Sequence, residues 1–263
     1  MSPPPVGLEA LAWAALLVLA NALLSLLLDL GLARTLVVGA LRAGVQLSLV
    51  GLLLKTVFAL ASPLWVAGVL MLMLAAAGRE VWARQDRRLR GLWGAGVGSG
   101  STMLATLLVT GLALAALRPQ PWYAAPTLIP LAGIVLGSVM NGVSLSLNAL
   151  HTGVVRERAA IEARLALGAT RRQALAPLQR EAIRSGLIPI VNQMSAAGII
   201  TLPGMMTGQI LAGLAPTEAA RYQIFILFLL AGAAGLGAMA ACGLAVWRLT
   251  DERDRLRLDR LSD

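Results

Sequence analysis

The sequence predicts an all-α fold: a polytopic membrane helix bundle with about seven transmembrane helices and a short helical hairpin in the cytoplasm. Three observations predict it. Hydrophobic residues make up 58% of the 263-residue chain and charged residues 13%, with a mean hydropathy of +0.78; soluble domains carry about 45–50% apolar and about 25% charged residues. The apolar residues are gathered into runs long enough to cross a bilayer. The arginines fall in the gaps between those runs, and they sort to one side. A soluble domain, a disordered chain and a fibrous repeat are excluded on this composition. No stretch shows the ten-residue alternation of a membrane barrel, so the spans are helices.

In chain order the apolar runs cover about 8–28, 36–54, 64–77, 95–117, 122–150, 187–211 and 223–247. The first is preceded by no basic residue in MSPPPVGLEA, so it is expected to stay as a span and not to act as a cleaved signal. The third is short for a hydrocarbon core of roughly 30 Å. The sixth is interrupted by Pro189 and Pro203. Residues 1–263 thus read as a single transmembrane domain, with one polar excursion at about 151–186 and a broken span at about 187–211.

The formal net charge is +9. Nucleic acid binding would need these charges on a polar domain, and they sit instead in short gaps between apolar runs. Seven spans place alternate gaps on opposite sides. Arg34, the group Arg79–Arg90, the group Arg156–Arg184 and the group Arg248–Arg260 then share one side, eighteen arginines against Lys55, Arg118 and Arg221 on the other. The positive-inside rule makes that side cytoplasmic, with the N-terminus outside and the chain in the inner (plasma) membrane. Trp13, Trp65, Trp82, Trp93, Trp122 and Trp247 lie at or near span ends, where interfacial anchors sit. One cysteine, Cys242, leaves no disulfide framework or cysteine zinc site. It lies in the small-residue run AGAAGLGAMAACG, a helix-packing face.

Residues 155–186 alternate charged and aliphatic residues at helical spacing from Arg156 to Leu167. Gly168 suits the left-handed position that ends a helix. Thr170 reads as the N-cap of a second helix, and Gln173 completes a capping box. Pro177 is expected to bend that second helix and turn it back toward the membrane. Such a hairpin is either an interfacial helix or a docking element for a soluble partner, and its acidic residues favour the second.

Glu162, Ala163 and Arg164, followed by Gly168-Ala169, resemble the EAA loop of ABC-transporter permeases, a Glu-Ala pair with a glycine six residues after the Glu. The segments RAGVQLSLVGLLLKTVF (42–58), IPLAGIVLGSVMNGVSLSLNAL (129–150), LALGATRRQALAPLQREAIRSGLIPIVNQ (165–193) and LPGMMTGQILAGLAPTEAARYQI (202–224) resemble the FetB/YbbM family of bacterial permeases assigned to iron export, which has relatives in plant aluminium tolerance. The likeness runs over about 34–249 in the same order. It implies the permease half of an ABC transporter, a homodimer served by a separate ATPase subunit that carries ATP and Mg, with no cofactor in this chain. It implies that Glu162, Ala163, Gly168, Ala169 and Thr170 contact that ATPase. Iron or another metal is the implied cargo; an organic anion or a metal chelate is the alternative.

Polar residues inside spans are the candidates for a pathway. Arg42 and Gln46 lie one turn apart in the second span, where a charge is costly unless it faces protein or water; the charge of Arg42 suits an anion better than a bare cation. Asn141, Asn148 and Ser144 share a face of the fifth span, open to interhelical bonding or to pathway lining. The broken span carries Asn192, Gln193 and Gln209, tolerated where a helix is buried in protein or lines a wet cavity. Its Gly198, Gly204 and Gly208 are alternatively small residues for close packing. Pro203-Gly204 reads as a hinge or re-entrant corner, beside Met205 and Met206, whose thioethers fit core filling better than iron ligation. Arg42, Gln46, Asn141, Asn192 and Gln209 are therefore the pathway residues proposed on sequence, and Pro203, Gly204, Met205 and Met206 the gating ones.

Three rivals carry less. An intramembrane serine protease would have to pair Ser99 or Ser101 with His151, the only histidine. An ATPase in the same chain would need a phosphate-binding loop, and Lys55-Thr56 lacks the glycine spacing for one. A channel would leave the hairpin without a purpose.

Overall fold

The computed structural model describes residues 7–60, 62–251 and 253–262. Residues 1–6 of the N-terminal segment and the side chain of Lys55 lie outside that description. The described residues fall into two compact units, divided at Ser62.

The first unit is a pair of packed helices, α1 (Leu8–Leu27) and α2 (Ala33–Leu60). Their connection is tied by Ser25, whose Oγ accepts the Leu32 N–H at 3.0 Å. Ala22 and Ser25 are buried in α1, whereas the most apolar stretch of α2 has no buried residue.

The second unit holds α3 (Pro63–Ala83), α4 (Leu92–Leu117), α5 (Ala125–Arg156), α6 (Arg158–Ala166), α7 (Arg171–Ala196), α8 (Gly204–Leu211) and α9 (Pro216–Arg248), followed by a 3-10 turn at Leu258–Arg260. Helix α5 is the hub and packs on α3, α4, α7 and α9. The third span is full length after all. The 21 residues of α3 rise about 31 Å, because the helix continues through Arg79 and Glu80, whose charges stand near its end.

Among the described residues, six helices, α1 to α5 and α9, are long and apolar enough to cross a membrane. The predicted sixth span is not one helix. Residues 187–196 are the second half of α7, 197–203 form a corner, and α8 takes up the rest. Helix α7 runs antiparallel to α5: Leu178 lies against Gly153, and Gly186 lies against Gly142 and Ser146. It therefore carries the chain away from the arginine-rich end, and α8 ends four residues before α9 begins its return.

Helix α7 continues without a break through Pro177 and Pro189. Each proline removes one backbone bond, yet Ala174, Leu175, Leu178, Ala182 and Ile190 are buried against neighbouring helices and hold the helix together.

Close packing is achieved with small residues, as expected where lipid supplies no hydrophobic drive between helices. A Cβ on Gly237 of α9 would lie 2.7 Å from Val139 Cγ1, and one on Gly98 of α4 would lie 2.7 Å from Val81 Cγ1. Cys242 is fully buried on α9. Gly198, Gly204 and Gly208, offered above as packing residues, have open space around them. The tight glycine of this region is Gly186.

The chain end forms a clasp over the arginine-rich end of the second unit. Leu261 bridges to Leu89. The Ser262 N–H donates to Arg88 O at 2.7 Å, and the Arg90 N–H donates to Arg260 O at 2.7 Å. The rings of Trp93 and Trp247 meet 5.6 Å apart at a tilt of 56°, with the Arg248 guanidinium 5.1 Å above the Trp93 ring.

Candidate functional site

The hairpin begins where α5 ends at Arg156. Helix α6 follows directly, Gly168 adopts φ +89° as the left-handed turn, and Thr170 caps α7. The capping box is formed: Gln173 N–H donates to Thr170 Oγ1, and Thr170 N–H donates to Gln173 Oε1 at 2.9 Å. Two contacts stiffen the pair. Ile161 is wholly buried between the hairpin and the bundle, and Arg164 Nη1 donates across the turn to Ala174 O at 3.1 Å.

The outer surface is left open. Glu162, Ala163, Ala166, Gly168 and Thr170 are exposed, Ala169 is half-buried, and Leu167 is 89% exposed at the tip. Glu162 is held by Arg158 at 2.8 Å, an i,i+4 pair on the open face. A bare leucine framed by charges thus stands as a knob on a braced support.

One helix joins this knob to the membrane interior. From Arg171 to Gln193, α7 covers about 33 Å. At the inner end, α5, α7 and α9 enclose a cleft of about 230 Å³ lined by Ser138, Asn141, Gly186, Pro189, Gln193 and Leu230, among others. Asn141 Oδ1 accepts from Arg84 Nη1 at 3.0 Å, and Arg84 is itself paired with Glu80 at 3.1 Å. Further along α5, Asn148 Nδ2 donates to Asp86 Oδ2 at 2.9 Å and its Oδ1 accepts the Asp86 N–H, while His151 Nδ1 meets Arg87 O at 2.9 Å. The polar face of α5 thus fastens the segment between α3 and α4.

The pathway residues proposed on sequence in the second unit do not line one cleft. Asn141 lines the cleft. Asn192 is exposed on a different face of α7, in a groove of about 520 Å³ shared with Arg180 and Arg184. Gln209, on α8, has its Oε1 enclosed without a hydrogen-bond partner among the described residues. Arg42 and Gln46 are exposed on α2, in the first unit. Sequence reasoning passed over Arg84, grouped with the topological arginines, and gave Gln193 less weight than its neighbour.

The corner between α7 and α8 is built by Gly198 at φ +83° and by an Ala197–Thr201 bridge, with Pro203 at the N-cap of α8. Met205 and Met206 are half-buried there. Ile199, Ile200 and Leu202 stand out at the corner, 91%, 79% and 65% exposed.

Among the described residues, no three His, Cys, Asp or Glu side chains converge as a metal cluster would require. Nor does a hydrogen bond join His151 to Ser99 or Ser101; Ser101 Oγ and His151 Nε2 are both buried without partners. The pairing a serine protease needs is not formed.

Comparison with known proteins bears on these features together. The chain is 33% identical over 260 residues, 96% of each chain, to the "Probable iron export permease protein FetB" of Escherichia coli. It is 42% identical over 191 residues to "UPF0014 membrane protein slr1647" of Synechocystis, covering 72% of this chain and 73% of that one. It is 35% identical over 204 residues to "UPF0014 membrane protein STAR2" of rice, covering 78% of this chain and 70% of that one. No solved structure matches. The model of "Uncharacterised protein family (UPF0014)" matches residues 8–249, every span described above included, and this multi-pass membrane protein belongs to that family.

Proposed function

We propose that the chain is the membrane-spanning permease subunit of an ABC-type exporter for iron or another metal, driven by ATP hydrolysis on a separate subunit. The observation that carries this reading is the α6–α7 hairpin. Its outer face is open and its base is braced, and it is continuous with a helix that lines an intramembrane cleft. A soluble motor closing on Leu167 and Glu162 would move α7 as a rod, and Gly186, Pro189 and Gln193 with it. The corner at 197–203 would let α8 lag behind, so the cleft changes shape between the two ends of the stroke. The printed name of the Escherichia coli relative supports the metal and the direction.

In this reading the arginine-rich end is cytoplasmic and the N-terminus external, as the charge asymmetry demands. Two copies of the chain work with two copies of the ATPase.

An anionic cargo, such as a metal chelate or an organic anion, is the second reading. The groove lined by Arg180, Arg184 and Asn192 favours it, as does the lack of converging metal ligands among the described residues.

Co-purification with an ABC ATPase subunit from the same cells, followed by reconstitution in liposomes, tests both. The expected result is a stable complex whose ATP turnover rises with iron, and which is lost in Glu162→Ala combined with Gly168→Pro. Complex formation indifferent to that variant removes the docking assignment. Turnover that answers to an organic anion and never to iron moves the cargo to the second reading.

A further inference from the structure

Between the first turns of α7 and the end of α9 lies a basic trough formed by two adjoining cavities, of about 870 and 470 Å³, which share Arg171 and Trp247. Arg172 and Arg180 reach it from α7, and Arg248, Arg253, Arg255 and Arg260 from α9 and the clasp. The acidic groups facing them, among the described residues, are Asp251 and Asp254. Asp251 is consumed by Arg255 at 2.9 Å, and Asp254 stands 3.7 Å from Arg171. Arg260 is spent on the carbonyls of Arg248 and Thr250. Arg172, Arg180 and Arg253 are exposed and make no side-chain hydrogen bond or ion pair with the described residues.

We propose that this trough binds the phosphate of an anionic phospholipid headgroup, which bridges the hairpin helix to the chain end. Guanidinium groups converging from two elements suit a phosphodiester, which offers acceptor oxygens to several donors at once. Depth selects the lipid over a soluble phosphate. The trough is lined by Gly243, Val246 and Trp247 of a spanning helix, and the Trp93–Trp247 pair marks the interfacial level where headgroups lie. Basic pockets between helices at the arginine-rich face collect anionic headgroups for this reason. The assignment does not depend on the transport reading.

The test uses the full chain in mild detergent, with lipid retention followed by native mass spectrometry and stability by thermal unfolding. Phosphatidylglycerol and cardiolipin should remain bound and raise the unfolding midpoint; phosphatidylcholine should do neither. The exposed pair Arg172→Gln with Arg253→Gln should lower retention about tenfold or more, while Arg221→Gln, which removes a charge on α9 far from the trough, should leave it unchanged. Equal retention of phosphatidylcholine, or retention that survives the double variant, overturns the site. A midpoint shift reproduced by inorganic phosphate alone overturns the lipid and leaves a free-phosphate site.

Discussion

Gly186 of α7 crosses α5 directly over Ser146, and a methyl group at Gly186 would overlap the Ser146 hydroxyl. Such a methyl would also lie 2.5 Å from the Gly142 carbonyl oxygen, so the two helices meet backbone to backbone here. Gly186→Ala forces them apart at the centre of the second unit, at an expected cost of about 1–3 kcal/mol. Gly186→Leu should prevent assembly of the bundle. Combining Gly186→Ala with Ser146→Gly removes the worse overlap and leaves the carbonyl contact, so stability should return in part. Thermal unfolding in detergent reads all three; an alanine variant as stable as the wild type would show that the crossing is looser than described.

Asn141 sits at the cleft with its amide oxygen committed to Arg84. Asn141→Ala leaves Arg84 with Glu80 alone and should cost about 0.5–1.5 kcal/mol, the usual net worth of one hydrogen bond. Asn141→Asp adds a charge to the pair and should restore or exceed wild-type stability. If Asn141 also lines the path of the cargo, both variants should lower transport several-fold, although they move stability in opposite directions. Loss of transport that tracks stability alone would make the residue a fastener and nothing more.

The hairpin was legible because its determinants are local. A left-handed glycine, a Thr–Gln capping box three residues apart and a helical stripe need no information from distant parts of the chain, and Gly168, Thr170 and Gln173 behave as their spacing implies. The six apolar spans were legible for a similar reason. Pro177 does not end its helix, because its local preference is outweighed by burial of Ala174, Leu175 and Leu178 on either side of it. The roles of Arg84, Asn148 and Arg88 were hidden, since their partners lie 57, 62 and 174 positions away and leave no periodic trace. An arginine that fastens two helices and one that only sets topology look the same in a sequence.

Leu167 and Thr170 separate docking from folding. Leu167 touches little of its own chain, so Leu167→Asp should leave unfolding unchanged while weakening ATPase binding by tenfold or more, a loss of at least about 1.4 kcal/mol at an interface hot spot. Thr170→Ala removes the cap and should cost about 1 kcal/mol of helix stability. Its effect on binding should be milder, because the tip is frayed and not repelled. Pull-down of the ATPase together with hydrogen exchange over 158–180 distinguishes them. Equal binding by Leu167→Asp and wild type would leave the knob without a socket.

The clasp carries its own pH dependence. Asp251 accepts the N–H groups of Arg253 at 3.0 Å and Arg255 at 2.9 Å as well as the Arg255 side chain, and the Arg255 backbone bond is the largest cause holding its carboxyl below the ordinary range. Asp259 is brought down to about 2, chiefly by its hydrogen bonds from the Arg257 side chain. Both groups bind protons more weakly folded than unfolded, so their contribution is complete above the ordinary aspartate value of about 3.9 and is lost as pH falls through the folded values. Amide protection over 249–262, corrected for intrinsic exchange, should therefore be constant from neutrality to about pH 4 and decline toward pH 2. Asp251→Asn should loosen the Arg253 and Arg255 amides already at pH 7, with the Leu89–Leu261 bridge retained, since Ser262 and Arg260 hold that edge through backbone bonds of their own. Protection that stays level to pH 2 in the wild type, with no loosening in the variant, would show that the backbone ladder alone closes the clasp.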